Sequence, residues 1–299
     1  LLCQICFAAL PLSEPIRLNI SAWGGKRVLF IGAHPDDIEG FAGGLAHALH
    51  LRGDVNVTYL VVTSGNAGGL CYGDASASAN GFYACEKEEI ALVRRREMIA
   101  AAAFNGVAPP LRMGLDDGLS VEYDEARLRR GLTAWIRIAR PHVIVTHFPE
   151  PNWRAPPTCN GACAARPGQS SATGGWGDLG YHPDHKRVGR LVFDTAYGPG
   201  GAASNSRLFE DIAAAGAPAW LGAEELYFFA LTRDQPMTHY LPLPPVLLAA
   251  KINASMLHRS QYQDDTITTT EFFTWIAESV GAQTGVVGVG PAEGFQAWF

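Results

Sequence analysis

His34-Pro35-Asp36-Asp37 and, far downstream, His182-Pro183-Asp184-His185 are the residues whose types and spacing suit chemistry. Imidazole and carboxylate groups are zinc ligands, and a catalytic zinc site uses three protein ligands and keeps one position for water. His34, Asp37 and His185 make such a set. A bound divalent ion brings the pKa of water towards neutrality. Asp36, left off the metal, is then the candidate general base. His182 is the candidate to face the oxyanion and protonate a leaving amine.

Two elements must position these groups. Lys26 to Gly32 reads as a buried strand that breaks at His34-Pro35 and leads into a helix. Pro35 sets its own φ and biases His34 towards extended geometry, so the strand ends there and the turn is stiff. Open parallel sheets place their sites at the carboxyl ends of strands. His182 and His185, three residues apart on an opening helical turn, face one side. A plainer account makes Asp36 or Asp37 a cap for the following helix. It explains one Asp and leaves the other, with His34, unexplained. A lone His-x-x-His pair is more often surface than ligand; the two motifs together point to a metal site.

These residues resemble the LmbE-like, or PIG-L, family of zinc-dependent N-acetylglucosaminyl deacetylases. Ala33 to Asp37 fits the family's (A/G)-H-P-D-D motif and His182 to His185 its H-P-D-H motif. Thr63-Ser-Gly-Asn-Ala-Gly-Gly69 is similar to its glycine-rich loop, Arg94 and Glu97 to its R-x-x-E, and Asp117-Gly118 to its D-G turn. Lys251 to Gln261 is similar to its C-terminal K-x-x-A...H-x-S-Q. The resemblance implies His34, Asp37 and His185 as ligands of Zn2+ or another divalent metal, Asp36 as base, and His182 as oxyanion stabiliser and acid. It implies Arg94, Asp117 and Tyr181 as substrate-binding residues; Asp184 either orients His182 or starts the helix. The implied reaction removes an N-acetyl group from a glucosamine-containing compound and releases acetate.

The chain departs from that pattern over residues 149–181, rich in Pro, Gly, Ser and Trp. Long loops of this kind are often lids or binding loops, and Trp153, Trp176 and Asp178 would suit a sugar. The alternative is an insertion without a role.

With 299 residues, 47% hydrophobic and 17% charged, the chain is expected to form one folded domain over 1–299, its motif-bearing part about 26–262. A net charge of −6 argues against a nucleic-acid partner. Arg94-Arg95-Arg96 follows Glu86, Glu88 and Glu89 on one predicted helix, a paired and solvated face. No segment has the roughly twenty apolar residues of a bilayer span, and oligomeric state is left open. The opening Leu1 to Leu12 resembles the tail of a secretory leader. Sequons at Asn19, Asn56 and Asn253 are compatible with a secretory route, so the expected location is secreted or lumenal, with cytoplasm as the alternative. Six cysteines fall as Cys3/Cys6, Cys71/Cys85 and Cys159/Cys163; the last two pairs sit in predicted loops and are expected as disulfides, with reduced thiols as the alternative, while their spacing does not suit zinc ligands.

Strand-like runs near 27–32, 55–62, 110–113, 142–147 and 225–231 alternate with helical patterns near 39–51, 86–105, 124–139, 184–197, 207–215, 244–260 and 270–282. This βαβα order predicts a Rossmann-like α/β fold, a mainly parallel sheet with helices on both faces and one long inserted loop. The glycine-rich tail from Gly281 reads as loosely held. His47, His50 and His142 read as packing or surface residues, His147 as a neighbour of the site, and His258 as a candidate substrate or supporting contact. A nucleotide-binding enzyme is disfavoured, because Gly32-Ala-His-Pro-Asp lacks G-x-G-x-x-G and Asp36 and Asp37 would repel a pyrophosphate. A carbohydrate-binding protein without turnover, or a hydrolase of another amide, is the remaining alternative.

Overall fold

A computed structural model describes residues 14–73, 81–118, 124–149, 182–197, 210–230 and 237–298. Its strands are β1 (Ile16–Arg17), β2 (Arg27–Gly32), β3 (Asn56–Thr63), β4 (Cys71–Tyr72), β5 (Phe82–Tyr83), β6 (Leu111–Leu115), β7 (Val143–Thr146), β8 (Glu225–Ala230), β9 (His239–Pro242) and β10 (Ala292–Trp298). Its helices are α1 (Asp37–Arg52), α2 (Lys87–Phe104), α3 (Glu125–Ala139), α4 (Pro183–Tyr197), α5 (Glu210–Ala214), α6 (Pro245–Met256), α7 (Arg259–Tyr262) and α8 (Thr266–Gln283). Eight strands form one sheet in the order β1-β9-β10-β8-β7-β2-β3-β6, and β4 pairs with β5 separately. Every pairing in the large sheet is parallel except those of β10 with β8 and β9.

The central strands are apolar on both faces, as strands covered by helices on either side must be. Val28 and Phe30 of β2 enter one core with Leu45 and Leu49 of α1, Met98 of α2 and Leu247 of α6. Leu29 and Ile31, one step out of phase, enter the other with Leu128 and Leu132 of α3 and Val188 and Leu191 of α4. The period of two therefore splits each strand between two cores. Among the described residues no helix is long and apolar enough to cross a membrane.

The structure corrects the reading of the C-terminal tail. Ala292 to Trp298 lies between β9 and β8, with Ala292 and Phe295 almost wholly buried. Ala-Glu-Gly-Phe-Gln-Ala-Trp carries little intrinsic strand preference; the backbone partners on both flanks impose it. The helix expected over 244–260 is two, because Leu257 and His258 separate α6 from α7. The Cys71–Cys85 disulfide forms, tying β4 to the segment after β5; Cys3, Cys6, Cys159 and Cys163 lie outside the described residues.

At the far end of the sheet Glu225 accepts hydrogen bonds from Lys26 (2.8 Å), Tyr227 (2.8 Å) and Trp23 (3.1 Å). Burial raises its pKa, and these donors outweigh burial and lower it below the usual value. A depressed carboxyl pKa contributes stability above the unfolded value, which is lost as pH falls through the folded one. Glu225→Gln should therefore cost about 1–2 kcal/mol at neutral pH, and urea unfolding should show that gap shrinking below pH 4.5. A gap that grows on acidification would contradict this.

Candidate active site

The chain leaves β2 towards β3 and β6 on one side and later crosses to β7 and β8 on the other, so β2 and β7 flank the switch point of the sheet. Ligand crevices of open α/β sheets form at such points, outside the carboxyl ends of the strands. His34 follows β2, His147 follows β7, Asp117 follows β6, and His182 and His185 open α4. Segments about 150 positions apart in the chain meet there: His34 Nδ1 lies 3.0 Å from His185 Nε2.

Asp37 completes the set. Its Oδ1 is 3.0 Å from His185 Nε2 and its Oδ2 is 3.5 Å from His34 Nδ1. Donor atoms on a tetrahedral zinc, each about 2.05 Å from the ion, stand about 3.3 Å apart. The spacing and the two-imidazole, one-carboxylate chemistry both fit such a cation. Oδ2 of Asp37 also accepts the His34 backbone N–H at 2.6 Å, while Oδ1 faces His185 Nε2. His34, Asp37 and His185 are each at most 6% exposed.

His147 enters this shell although the sequence placed it only nearby. Its Nε2 stands 2.9 Å from Asp37 Oδ2 and 3.1 Å from the Ala33 nitrogen. The Nε2–H tautomer donates to Asp37; the Nδ1–H tautomer accepts from Ala33. Its ring stacks on His185 at 4.1 Å and 12°, and parallel stacked imidazoles do not aim two lone pairs at one point. His147 therefore fits a support for Asp37 better than a ligand. Its position directly after an apolar strand at the switch point is the signal that sequence offers.

The other ring nitrogen of His34 is also held. Nε2 lies 3.0 Å from Asp117 Oδ1 and 3.4 Å from Asp184 Oδ2. With Nε2–H donated to a carboxylate, Nδ1 is left as a lone pair facing His185 and Asp37, the arrangement that orients metal-binding histidines. Asp184 also accepts the Gly118 N–H at 3.0 Å. Asn66 fixes the same turn, donating to Asp116 and accepting from the Asp117 N–H. The carboxylate expected at the substrate thus touches His34, and Asp184 touches His34 and Gly118 while its backbone N–H donates to His182 Nδ1 at 3.3 Å.

Neither Asp of the first motif caps α1 through its side chain. Asp36 occupies the capping position but makes no capping bond; its Oδ1 accepts from Arg94 Nη2 at 2.5 Å. Arg94 is buried and also donates to the Gly65 and Gly68 carbonyls. Gly65 has φ +64°, and a Cβ there would stand 2.5 Å from the guanidinium carbon and 2.7 Å from Pro35 Cδ. Only glycine lets this loop close over the pair. The R-x-x-E and S-Q segments meet next to it, Glu97 accepting the backbone N–H and hydroxyl of Ser260 at 2.7 and 2.6 Å. His258 pairs with Glu39 at 3.2 Å, fully buried. Tyr181, Trp153, Trp176 and Asp178 lie outside the described residues.

The charges of this cluster are mutually dependent. Burial disfavours a charged His34, yet Asp37, Asp117 and Asp184 outweigh it and raise its pKa well above the usual imidazole value. Burial likewise opposes an ionised Asp37, and His185, His147 and His34 hold its pKa well below the carboxylate range. His147 is lowered to about 4 by burial and by His185. His182 is lowered by burial and by His34 and His185. Its ring meets His34 edge-on at 4.6 Å, on the solvent side of the set.

Known proteins share this architecture. No curated protein matches the chain. The N,N'-diacetylchitobiose deacetylase from Pyrococcus horikoshii is similar over 96% of this chain and 86% of its own, at 22% identity and a TM-score of 0.67. The 4-carboxy-2-hydroxymuconate hydratase from Pseudomonas putida is similar over 92% and 96%, at 18% identity and a TM-score of 0.58. A deacetylase of the teicoplanin biosynthetic pathway is similar over 91% and 98%, at 16% identity and a TM-score of 0.51. At these identities the likeness is one of fold. The family described as PIG-L, GlcNAc-PI de-N-acetylase, matches residues 29–157, the stretch that holds His34, Asp36, Asp37, Arg94 and Asp117. Over residues 29–157 the chain is thus similar to the PIG-L (LmbE-like) family.

Proposed function

We propose that the protein is a metal-dependent amide hydrolase that removes the N-acetyl group from a glucosamine-containing substrate. The observation that carries this reading is the convergence of His34 Nδ1, His185 Nε2 and the Asp37 carboxylate within 3.0–3.5 Å, with the adjacent Asp36 held by Arg94 instead. A divalent cation held there supplies Lewis acidity to the amide carbonyl and lowers the pKa of the attacking water.

The chain's own residues do the rest. Asp36 takes a proton from the attacking water, with Arg94 fixing its other flank. His182, at the solvent side, holds the developing oxyanion and passes a proton to the amine as the C–N bond breaks. Acetate leaves with the water oxygen, and the amine keeps the sugar. His34 and Asp37 are kept in place by Asp117, His147 and the His34 backbone N–H.

A fold does not choose a reaction, and the hydratase similar to this chain makes that concrete. The deacetylase reading is favoured by the matched family and by the chitobiose deacetylase. It is tested by acetate release from the Zn2+-loaded protein against N-acetylglucosamine oligomers, glycosyl-inositols and N-acetylglucosaminyl lipids. Turnover of any of them supports it. Silence on all, with metal verified in the protein, transfers the site to a different amide.

A further inference from the structure

Helix α1 is broken one turn after the site. Ala42 leaves helical dihedrals (φ −137°, ψ 27°), and two buried side chains from the C-terminal part of the chain occupy the break. Lys251 of α6 donates to the Gly40 carbonyl at 2.7 Å and the Glu39 carbonyl at 3.4 Å. Glu293 of β10 accepts the Gly44 N–H at 2.9 Å and the Leu45 N–H at 2.8 Å. The two side chains pair at 2.8 Å, 1% and 3% exposed. In an unbroken helix Gly44 N–H would bond to the Gly40 carbonyl; here an ammonium takes one partner and a carboxylate the other. The signs match the dipoles, a cation at the end of the first segment and an anion at the start of the second.

We propose that Lys251 and Glu293 act as positioning residues: they hold the first turn of α1, residues 37–41, at an angle that the rest of the helix would not give it. That turn carries Asp37, Glu39 paired with His258, and Phe41, whose ring meets His147 and His185 edge-on at 5.3 and 5.4 Å. A stability argument alone does not account for the pair, since a buried ion pair is often no better than apolar groups of similar size and a straight helix would satisfy the same backbone groups itself. The sequence makes room for it. A Cβ on Gly44 would stand 2.3 Å from Leu243 Cδ2 and 3.2 Å from both Glu293 carboxylate oxygens, and one on Gly43 would stand 3.3 Å from Lys251 Cγ.

The proposal rests on the metal-site reading above, and its test separates the two. Co2+ is titrated into wild type, Lys251→Met and Lys251→Met/Glu293→Leu, following the visible d–d bands and the thermal midpoint. The double variant lets α1 close its own ladder, so its midpoint should stay near that of wild type. Its Co2+ affinity should still fall about tenfold, the lower end of the range for residues that orient ligands, with altered bands. A double variant that keeps both midpoint and Co2+ affinity overturns the proposal. If it fails to fold, Lys251→Met is judged by the same bands. If wild type binds no Co2+, the metal-site reading fails, and hydrogen exchange of amides 37–41 decides this one. Faster exchange there, with 46–52 unchanged, supports positioning; unchanged exchange at 37–41 overturns it.

Discussion

Asp36→Asn is expected to keep the fold and the bound ion while acetate release falls by about 10²- to 10⁴-fold, the range that a positioned general base supplies. The substitution preserves size, and the side-chain oxygen can still accept from Arg94, so the Gly65–Gly68 loop has no reason to move. What disappears is the capacity to take a proton. Metal content after dialysis, measured beside the rate, checks both halves. A variant that turns over at the wild-type rate would remove Asp36 from the mechanism. One that loses its ion would make Asp36 a ligand, contrary to its engagement with Arg94. A carbohydrate-binding protein on this fold would show no change in ligand binding.

His185→Ala is expected to lower bound Zn2+ from about one equivalent to near none, and activity with it, because two remaining donors do not retain an ion that needs three. Asp117→Asn keeps all three donors and weakens the hold on His34, so affinity should drop about 10- to 100-fold with the ion still bindable. If Asp117 served only the substrate, affinity for the ion would not change. His182→Ala should keep the ion. His34, His182 and His185 also lie close enough to share a cation, so loss of Zn2+ from His182→Ala but not from Asp37→Asn would move the ion to that second set. Competition titration with a chromophoric chelator reads all four variants.

Competing classes fare differently against the structure. The turn after β2 is filled by His34, Asp36 and Asp37 rather than by open backbone amides, and Asp37 turns its Oδ2 back onto the His34 N–H. Such a turn repels a pyrophosphate. A binding protein without turnover would need no proton-accepting carboxylate next to the His34, Asp37 and His185 set.

Sequence by itself determined the donor types, the chain order of the two motifs and the alternation of strand and helix, because these depend on local pattern: a buried apolar run, a Pro-stiffened turn, two histidines on one helical face. From that pattern the mainly parallel sheet and the residues brought to its switch point were legible. It did not reach β10, whose strand state comes from partners on both flanks rather than from its own residues. It placed His147 near the site but did not reach its contact with Asp37, the turn of Asp117 towards His34, or the engagement of Arg94 with Asp36. Only the tertiary structure decided those, and the break in α1 most of all. A lysine on α6 and a glutamate on β10, 42 positions apart, replace hydrogen bonds that α1 would otherwise make within itself, and such long-range substitution leaves no mark on local periodicity.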